Sequence, residues 1–324
     1  MNARPPRPRV VRRALHGVLL LDKPVGLTSN AALQHARRLL RADKAGHTGT
    51  LDPMASGLLP LAFGAATKFA QVNLDADKAY RATLRLGERS TSFDAEGTIT
   101  PGASPAFGRA ALDAAIASLT GTIEQLPPMH SALKVGGRAL YAYARAGQTV
   151  ERAPRRVSVH RLDIVDWHDR TLVIDVRCSK GTYIRTLAAD LGERLGCGAW
   201  LQALRRTASG PFEVAQAVTL DALEALDEPA REALLLPPDA LLAGQPAVRL
   251  PADEAGRFLT GLRRRVALAD APQVRVYGPP PLAPDTAHDT AVFLGSAHIT
   301  AGELIADRLL SPPEVDALRS APVA

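Results

Sequence analysis

The sequence lacks the residues and motifs that mark several common protein classes. Its 324 residues include two cysteines, Cys178 and Cys197, without the paired spacing of a zinc site or a disulfide framework. No HExxH, GxxxxGKS/T or GxGxxG pattern occurs, which argues against a metalloprotease and against nucleotide cofactors. No apolar run approaches the ~20 residues that span a bilayer. We therefore expect no metal, no cofactor and no membrane segment.

Positive charge is in excess. The formal net charge is +6 and the pI is near 9.6, a balance that favours a polyanionic partner. The arginines are clustered within residues 1–13, 152–156, 204–207 and 262–265. Any one cluster would also suit a solvated surface, but the four together favour contact with phosphates.

Hydrophobic periodicity predicts an α+β fold with a mixed, mainly antiparallel sheet. Residues 17–26 have the pattern of a buried strand, and residues 31–42 that of a helix capped by Ser29 or Asn30. Residues 78–87 alternate cleanly, as a half-buried strand does. Strands occur in runs with helices inserted unevenly, which is not the pattern of a regular βαβ fold.

A stretch rich in Pro and Leu at residues 234–246 predicts a domain boundary. The N-terminus is basic but lacks the apolar stretch of a signal peptide, so we expect a cytoplasmic protein. The expected organisation is a basic flexible tail (1–14), a large domain (15–245), a small β-rich module (246–312) with a Pro-rich insert at about 277–289, and a second tail (313–324).

A tight loop, GHTGTLDP, carries the most prominent candidate for chemistry, Asp52. An Asp before Pro is common in turns, so a purely structural role is the simpler interpretation. However, His47 lies five residues upstream, and a second cluster, CSKGTYIR, offers Tyr183 and Arg185 at an expected strand-to-helix junction. An arginine paired with Asp52 would keep a nucleophilic carboxylate ionised.

Two further side chains have both a structural and a functional interpretation. Tyr80 lies on the apolar face of its expected strand, so it suits either the core or a surface on which a base stacks. His47 suits either a hydrogen bond within its loop or a ligand contact. Periodicity alone does not separate these alternatives.

Five stretches, in this order, resemble the bacterial tRNA pseudouridine-55 synthases, the TruB family. The resemblance extends over roughly residues 16–310. It rests on the sequences GVLLLDKPVGLTSN, AGHTGTLDPMASGLLPLAFGAATKF, DKAYRATLRLGERSTSFDAEG, LPPMHSALKVGGRALYAYARAG and VRCSKGTYIRTLAADLGERLGCGAWLQALRRTASGPF. One such motif would be moderately specific, whereas five in order are highly specific.

The resemblance implies an isomerase that converts uridine 55 in the T-arm of tRNA to pseudouridine, without cofactor or metal. Asp52 is implied as the nucleophile, and the target base is flipped out of the T-loop. The resemblance leaves open whether Asp52 attacks the ribose C1′ or the base. Tyr80 is implied to stack on that base and to help remove its C5 proton, and Arg185 to pair with Asp52.

The resemblance implies roles for further positions. Asp94 is the second partner of the arginine, and His47 occupies the space that the flipped base leaves in the T-loop. Tyr183 and Leu204 line the uridine pocket, and Lys23 has a structural or RNA-positioning role.

The resemblance also implies a C-terminal PUA-like RNA-binding module and a monomer without an obligate protein partner. One alternative is a tRNA-binding and folding factor in which catalysis is lost or secondary. A weaker alternative is a glycoside-type hydrolase using Asp52, for which the sequence offers no evident second carboxylate.

Overall fold

The computed structural model describes residues 11–131, 133–280 and 291–319. Its helices are Ser29–Leu39 (α1), Ala70–Asp75 (α2), Arg109–Ser118 (α3), Leu140–Ala144 (α4), Ile184–Arg194 (α5), Leu220–Ala225 (α6), Glu228–Ala233 (α7), Ala252–Phe258 (α8) and Pro312–Arg319 (α9), with 3-10 turns over Gly64–Phe69, Val214–Gln216 and Pro238–Leu242. Its strands are Gly17–Lys23 (β1), Ala45–His47 (β2), Ala55–Phe63 (β3), Lys78–Leu86 (β4), Glu88–Ser90 (β5), Ile99–Pro101 (β6), Gly121–Gln125 (β7), Lys134–Val135 (β8), Arg138–Ala139 (β9), Arg155–His168 (β10), Thr171–Cys178 (β11), Ala199–Ser209 (β12), Phe212–Glu213 (β13), Val218–Thr219 (β14), Ala247–Arg249 (β15), Arg264–Arg265 (β16), Ala271–Gly278 (β17), Val292–Thr300 (β18) and Glu303–Leu309 (β19).

The larger sheet has the order β14-β1-β3-β12-β4-β11-β10-β7, with β2 added to β3 and β13 to β12. The pairs β1–β14 and β3–β12 are parallel and the other pairs are antiparallel. The expected α+β class with a mixed, mainly antiparallel sheet is therefore confirmed. Helices α1, α3 and α5 contribute Leu33, Leu112 and Leu187 to a core shared with sheet residues such as Leu84 and Leu201.

Strand β4 follows its sequence pattern closely. Ala82, Leu84 and Leu86 are buried on one face, while Arg81 on the other face is exposed. The alternation was informative because the sheet has one face covered by helices and one more polar face. Strand β12 lies at the centre of the sheet, between β3 and β4, and was not predicted.

Helix α1 does not use the expected caps. Thr28 is the N-cap, and its hydroxyl accepts a hydrogen bond from the Ala31 amide at 3.0 Å. Ser29 is buried, and its hydroxyl accepts from the Leu51 amide at 2.7 Å and donates to the Leu51 carbonyl at 3.0 Å. The serine thus fixes the residue that precedes Asp52.

A second, five-stranded sheet, β15-β17-β18-β19-β16, begins at Ala247. It fits the expected PUA-like module. Phe69 of the larger domain packs edge-to-face against Phe293 of this sheet, with ring centroids 5.1 Å apart. Lys68 Nζ donates to Glu314 at 2.6 Å. The two sheets therefore share an apolar core rather than being joined only by a linker.

Three segments of the expected organisation lie partly outside the described residues or contain regular structure. Residues 1–10 of the basic tail lie outside the described residues, but Arg13 is anchored by ion pairs with Glu228 and Glu232. Strand β17 continues to Gly278, and residues 281–290 of the expected insert lie outside the described part. The segment expected to be a C-terminal tail begins with α9, whose Val315 is fully buried.

No helix in the described part of the chain combines the length and the apolar character that crossing a bilayer requires.

The shared core predicts that both sheets unfold together. Phe293→Ala should lower the free energy of unfolding by about 3 kcal/mol, because a large buried ring leaves a cavity. Urea denaturation, followed by tryptophan fluorescence and circular dichroism, should show one shifted transition. The control is Leu262→Ala, whose side chain is exposed, and it should change stability by less than about 0.5 kcal/mol. Two transitions, of which only one moves, would contradict the shared core.

Candidate active site

A pocket of about 280 Å³ opens on the larger sheet, where the loop between β2 and β3 meets β4, β12 and the start of α5. The residues that line it include five of those proposed from the sequence: Asp52, Tyr80, Tyr183, Arg185 and Leu204. They come from four segments that are distant in sequence.

Asp52 forms an ion pair with Arg185, whose Nε lies 3.0 Å from the carboxylate Oδ2. The Asp52 side chain is 35% exposed, whereas the Arg185 side chain is 6% exposed. The pair therefore has its cation inside the protein and its anion facing the pocket. A carboxylate in this position is accessible to a ligand and still held by a buried opposite charge.

Arg185 is itself fixed by two other segments. Its Nη1 donates to Asp94 at 3.2 Å, and its Nη2 donates to the His130 carbonyl at 2.7 Å. Asp94 is 2% exposed and accepts hydrogen bonds from the Ser92 hydroxyl and from the Glu96 amide at 3.0 Å. The structure thus places Asp94 where the resemblance implied the second partner of the arginine.

Helix α5 starts at the position needed for this contact. The Tyr183 amide donates to Gln125 Oε1 at 3.0 Å, and Gln125 Nε2 donates back to the Tyr183 carbonyl at 3.3 Å. Gln125 is 1% exposed, so this reciprocal pair is shielded from water. It fixes the backbone two residues before Arg185.

Burial raises the pKa of Asp52 above its ordinary value, and the charge of Arg185 opposes this rise. The nearby Asp94 adds to the rise, whereas Arg206 and Lys23 oppose it. The cations around Asp52 thus oppose, without cancelling, the rise in its pKa that burial causes.

Tyr80 and Leu204 form the base of the pocket. Both lie on the same face of the sheet, because Tyr80 pairs across strands with Arg206, and Leu204 with Ala82. Burial raises the pKa of the Tyr80 hydroxyl, so the group is protonated near neutral pH. The pocket therefore offers an aromatic surface next to the carboxylate.

His47 and Lys23 do not line this pocket. His47 lies at the end of β2, and its Nδ1 is buried without a hydrogen-bond partner among the described residues. Lys23 is fully buried, and its Nζ donates to the carbonyls of Pro24 at 2.8 Å and Leu27 at 2.7 Å. Burial lowers the pKa of Lys23 to about 8. Lys23 thus fixes the turn after β1.

Sequence patterns did not reveal two features of the interior beside the loop that carries Asp52. One is a set of hydrogen bonds to the side chain of Asn73, and the other is the buried side chain of Arg206. Thr48 Oγ1 donates to Asn73 Oδ1 at 2.6 Å, and Ser209 Oγ donates to the same oxygen at 3.0 Å. Arg206, expected only as part of a basic cluster, is 2% exposed. The strand period indicates only that Arg205 and Arg206 point to opposite faces of β12.

No group of three or more His, Cys, Asp or Glu residues within the described ranges has an arrangement that could hold a metal ion.

Two family models match consecutive parts of the chain. The TruB family pseudouridylate synthase N-terminal domain matches residues 37–184, and the tRNA pseudouridylate synthase B C-terminal domain matches residues 185–243. The tRNA pseudouridine synthase B of Cupriavidus pinatubonensis (strain JMP 134 / LMG 1197) is 54% identical, over 95% of this chain and 98% of its own length. The tRNA pseudouridine synthase B of Ralstonia pickettii (strain 12J) is 54% identical, over 94% of this chain and 98% of its own length. This chain belongs to the TruB family.

Solved structures support the fold of this TruB chain. A chain of a Cbf5–Nop10–Gar1 complex aligns with a TM-score of 0.68 and 22% identity, covering 93% of this chain and 87% of its own. A chain of the archaeal box H/ACA sRNP Nop10–Cbf5 complex aligns with a TM-score of 0.66 and 23% identity, covering 92% of this chain and 86% of its own. At this identity the likeness concerns architecture alone.

The geometry predicts how the Asp52 carboxyl titrates in this TruB protein. It should gain its proton, as the pH falls, above the ordinary pKa of 3.8, because burial disfavours the charged form. Arg185→Met should raise that pKa further. The measurement is carbon-13 NMR of labelled Asp carboxyl groups, with Asp52→Asn to assign the resonance.

Asp175 provides an internal control for that titration. Its hydrogen bonds with Arg81 lower its pKa, so it should titrate below 3.8 in the wild type and in Arg185→Met alike. An Asp52 resonance that titrates below Asp175 would contradict the assigned environment.

Proposed function

We propose that this enzyme, a tRNA pseudouridine synthase, uses Asp52 as the nucleophile that isomerises uridine 55 in the T-arm of tRNA. The observation that carries the proposal is the pairing of a pocket-facing carboxylate with buried Arg185 at 3.0 Å, next to the ring of Tyr80. A nucleophile must be ionised and reachable, and this arrangement satisfies both conditions.

The reaction needs no redox step and no external group. The C1′–N1 bond of uridine breaks, the uracil rotates, and a C1′–C5 bond forms. C5 then loses its proton and N1 gains one, so atoms and electrons balance within the nucleotide. Asp52 forms a transient covalent bond to either the ribose C1′ or the base. It leaves again when the new glycosidic bond is complete.

The substrate must present the uridine outside its stack. Flipping a base out of a folded loop costs a few kcal/mol. Stacking on an aromatic ring such as Tyr80 recovers about 1–3 kcal/mol. We assign the hydrophobic contact with the flipped base to Leu204 and Tyr183, and the space left in the T-loop to His47. We assign a structural role to Lys23, because it bonds only to carbonyls of its own turn among the described residues.

The remainder of the molecule suits a large anionic substrate. The net charge of +6 favours contact with the phosphates of tRNA, and binding should weaken steeply with salt. We propose residues 15–245 as the catalytic domain and residues 246–312 as the RNA-binding module. We further expect a cytoplasmic monomer that needs no obligate protein partner.

The first test uses a T-arm stem-loop with tritium at C5 of its uridines. The intact protein should release tritium to water, and Asp52→Asn should release none while binding the RNA within about threefold. Asp22→Asn is a matched control on β1: this carboxylate pairs with Arg205 outside the pocket, so the variant should keep its activity.

Other outcomes of the same assay distinguish the alternatives. Tight binding without release by the intact protein would favour a tRNA-folding factor. Free uracil in place of pseudouridine would favour a hydrolase. Residual release by Asp52→Asn above background would exclude Asp52 as the nucleophile.

The role of Tyr80 can be separated into stacking and proton transfer. Tyr80→Phe retains the ring, so RNA affinity should be unchanged, while the single-turnover rate should fall about 100-fold through loss of the hydroxyl. Tyr80→Ala should in addition weaken RNA binding by about 1–3 kcal/mol. Filter binding and rapid-quench kinetics provide the two readouts. A Tyr80→Phe variant with the full rate would remove the hydroxyl from the mechanism.

A further inference from the structure

Arg206 has the most unusual environment of the cations near the pocket. It is 2% exposed and is among the largest fully buried side chains. It lies on central strand β12, with Tyr80 of β4 opposite on one side and Gly57 of β3 on the other. The resemblance implied no role for this position.

The guanidinium of Arg206 bonds to the chain on both sides of Asp52, to the loop before it and to β3 after it. Its Nη2 donates to the Thr50 carbonyl at 2.8 Å, before Asp52, and its Nη1 donates to the Leu58 carbonyl at 3.2 Å, after it. A longer contact of 3.5 Å joins Nη1 to the Gly49 carbonyl. One planar group therefore fixes the backbone both before and after the carboxylate.

The backbone is shaped to admit this contact. Gly57 has φ of +100°, and a Cβ placed there would lie 2.3 Å from the Arg206 carbonyl oxygen. Only glycine allows β3 to approach β12 this closely. The close approach of Gly57 thus fixes the backbone of Arg206 against β3, while the side chain of Arg206 bonds to the loop.

The charge of Arg206 is not neutralised by a carboxylate in an ion pair within the described ranges, in contrast to that of Arg185. Its Cζ lies 5.7 Å from the centroid of the Tyr80 ring, a cation–π distance. The titratable groups that face it are Asp52, Tyr80, Lys23, Lys78, His47 and Cys178. Asp52 is the carboxylate of this set.

We propose that Arg206 is a positioning residue: its planar fork holds the Asp52 loop in the reactive geometry, and its free charge favours the ionised carboxylate. The proposal deepens the proposed function and rests on it. A displacement of about 1 Å in a reacting group can cost on the order of 100-fold in rate. Loss of the fork should therefore lower kcat and leave KM nearly unchanged, because the guanidinium bonds to the protein's own backbone.

The test compares Arg206→Lys, which keeps the charge but loses the fork, with Arg206→Met, which loses both. Arg81→Met is the matched control, since Arg81 lies on the exposed face of β4 and pairs with Asp175 at 2.8 Å. Each variant is assayed for thermal stability, stem-loop affinity and single-turnover rate from acid to neutral pH. Wild type and Asp52→Asn are run alongside.

We expect Arg206→Lys to bind the stem-loop within about threefold of wild type and to react about 100-fold more slowly. The pH at which its rate falls to half should stay that of wild type. In Arg206→Met this acid limb should move to higher pH, because Arg206 lowers the pKa of Asp52 and its loss allows protonation earlier. Arg81→Met should match wild type in rate and in pH profile.

Several outcomes would overturn the proposal. A lysine variant with the wild-type rate would show that the fork is dispensable. A methionine variant with an unmoved acid limb would remove the charge from the mechanism. If Arg206→Met does not fold, the lysine variant decides, and a lysine variant that also fails to fold would assign Arg206 to stability alone. An inactive wild type would instead refute the proposed function itself.

Discussion

The ion pair between Asp52 and Arg185, with 3.0 Å between the nitrogen and the oxygen, favours a charged carboxylate in a partly apolar pocket. Removing a carboxylate from water costs several kcal/mol unless an opposite charge with good geometry compensates for it. Arg185 provides that charge, and Asp94 and the His130 carbonyl fix its orientation. The position of this carboxylate thus depends on groups that lie deeper in the protein than the carboxylate itself.

The sheet order makes this arrangement possible. Strand β12 lies between β3 and β4, so it can bond to the loop before β3 while it presents Leu204 beside the pocket. Buried Thr48, Asn73 and Ser209 add a second attachment of the same loop to the end of the same strand. A loop that would otherwise be mobile is therefore restrained by neutral and charged hydrogen bonds at once.

The sequence allowed the architecture to be predicted further than the interior of the site. The alternation of β4 was readable because one face of the strand is buried, and the fold class followed from such patterns. Strand β12 escaped prediction because its Arg-Arg pair, flanked by small and apolar residues, suggested a basic surface. The two arginines in fact separate across the sheet: Arg205 pairs with Asp22, and Arg206 is buried. Periodicity cannot indicate which of two neighbouring charged residues has hydrogen-bond acceptors inside the protein.

Similar limits apply to single positions. Ser29 was an obvious helix cap by residue type, yet tertiary structure uses its hydroxyl to hold Leu51, and Thr28 caps the helix instead. The partnership of Asp94 with Arg185 was implied only by family resemblance, because 91 residues separate the two in the chain. No local pattern records a contact across that distance.

The shared core of the two sheets has a further consequence. The rings of Phe69 and Phe293 pack directly, so the distance between Asp52 and the outer surface of the second sheet is set by the protein. An RNA that touches both places must span that distance in its folded form. Because direct packing fixes that spacing, an RNA of another shape could contact one of the two places but not both.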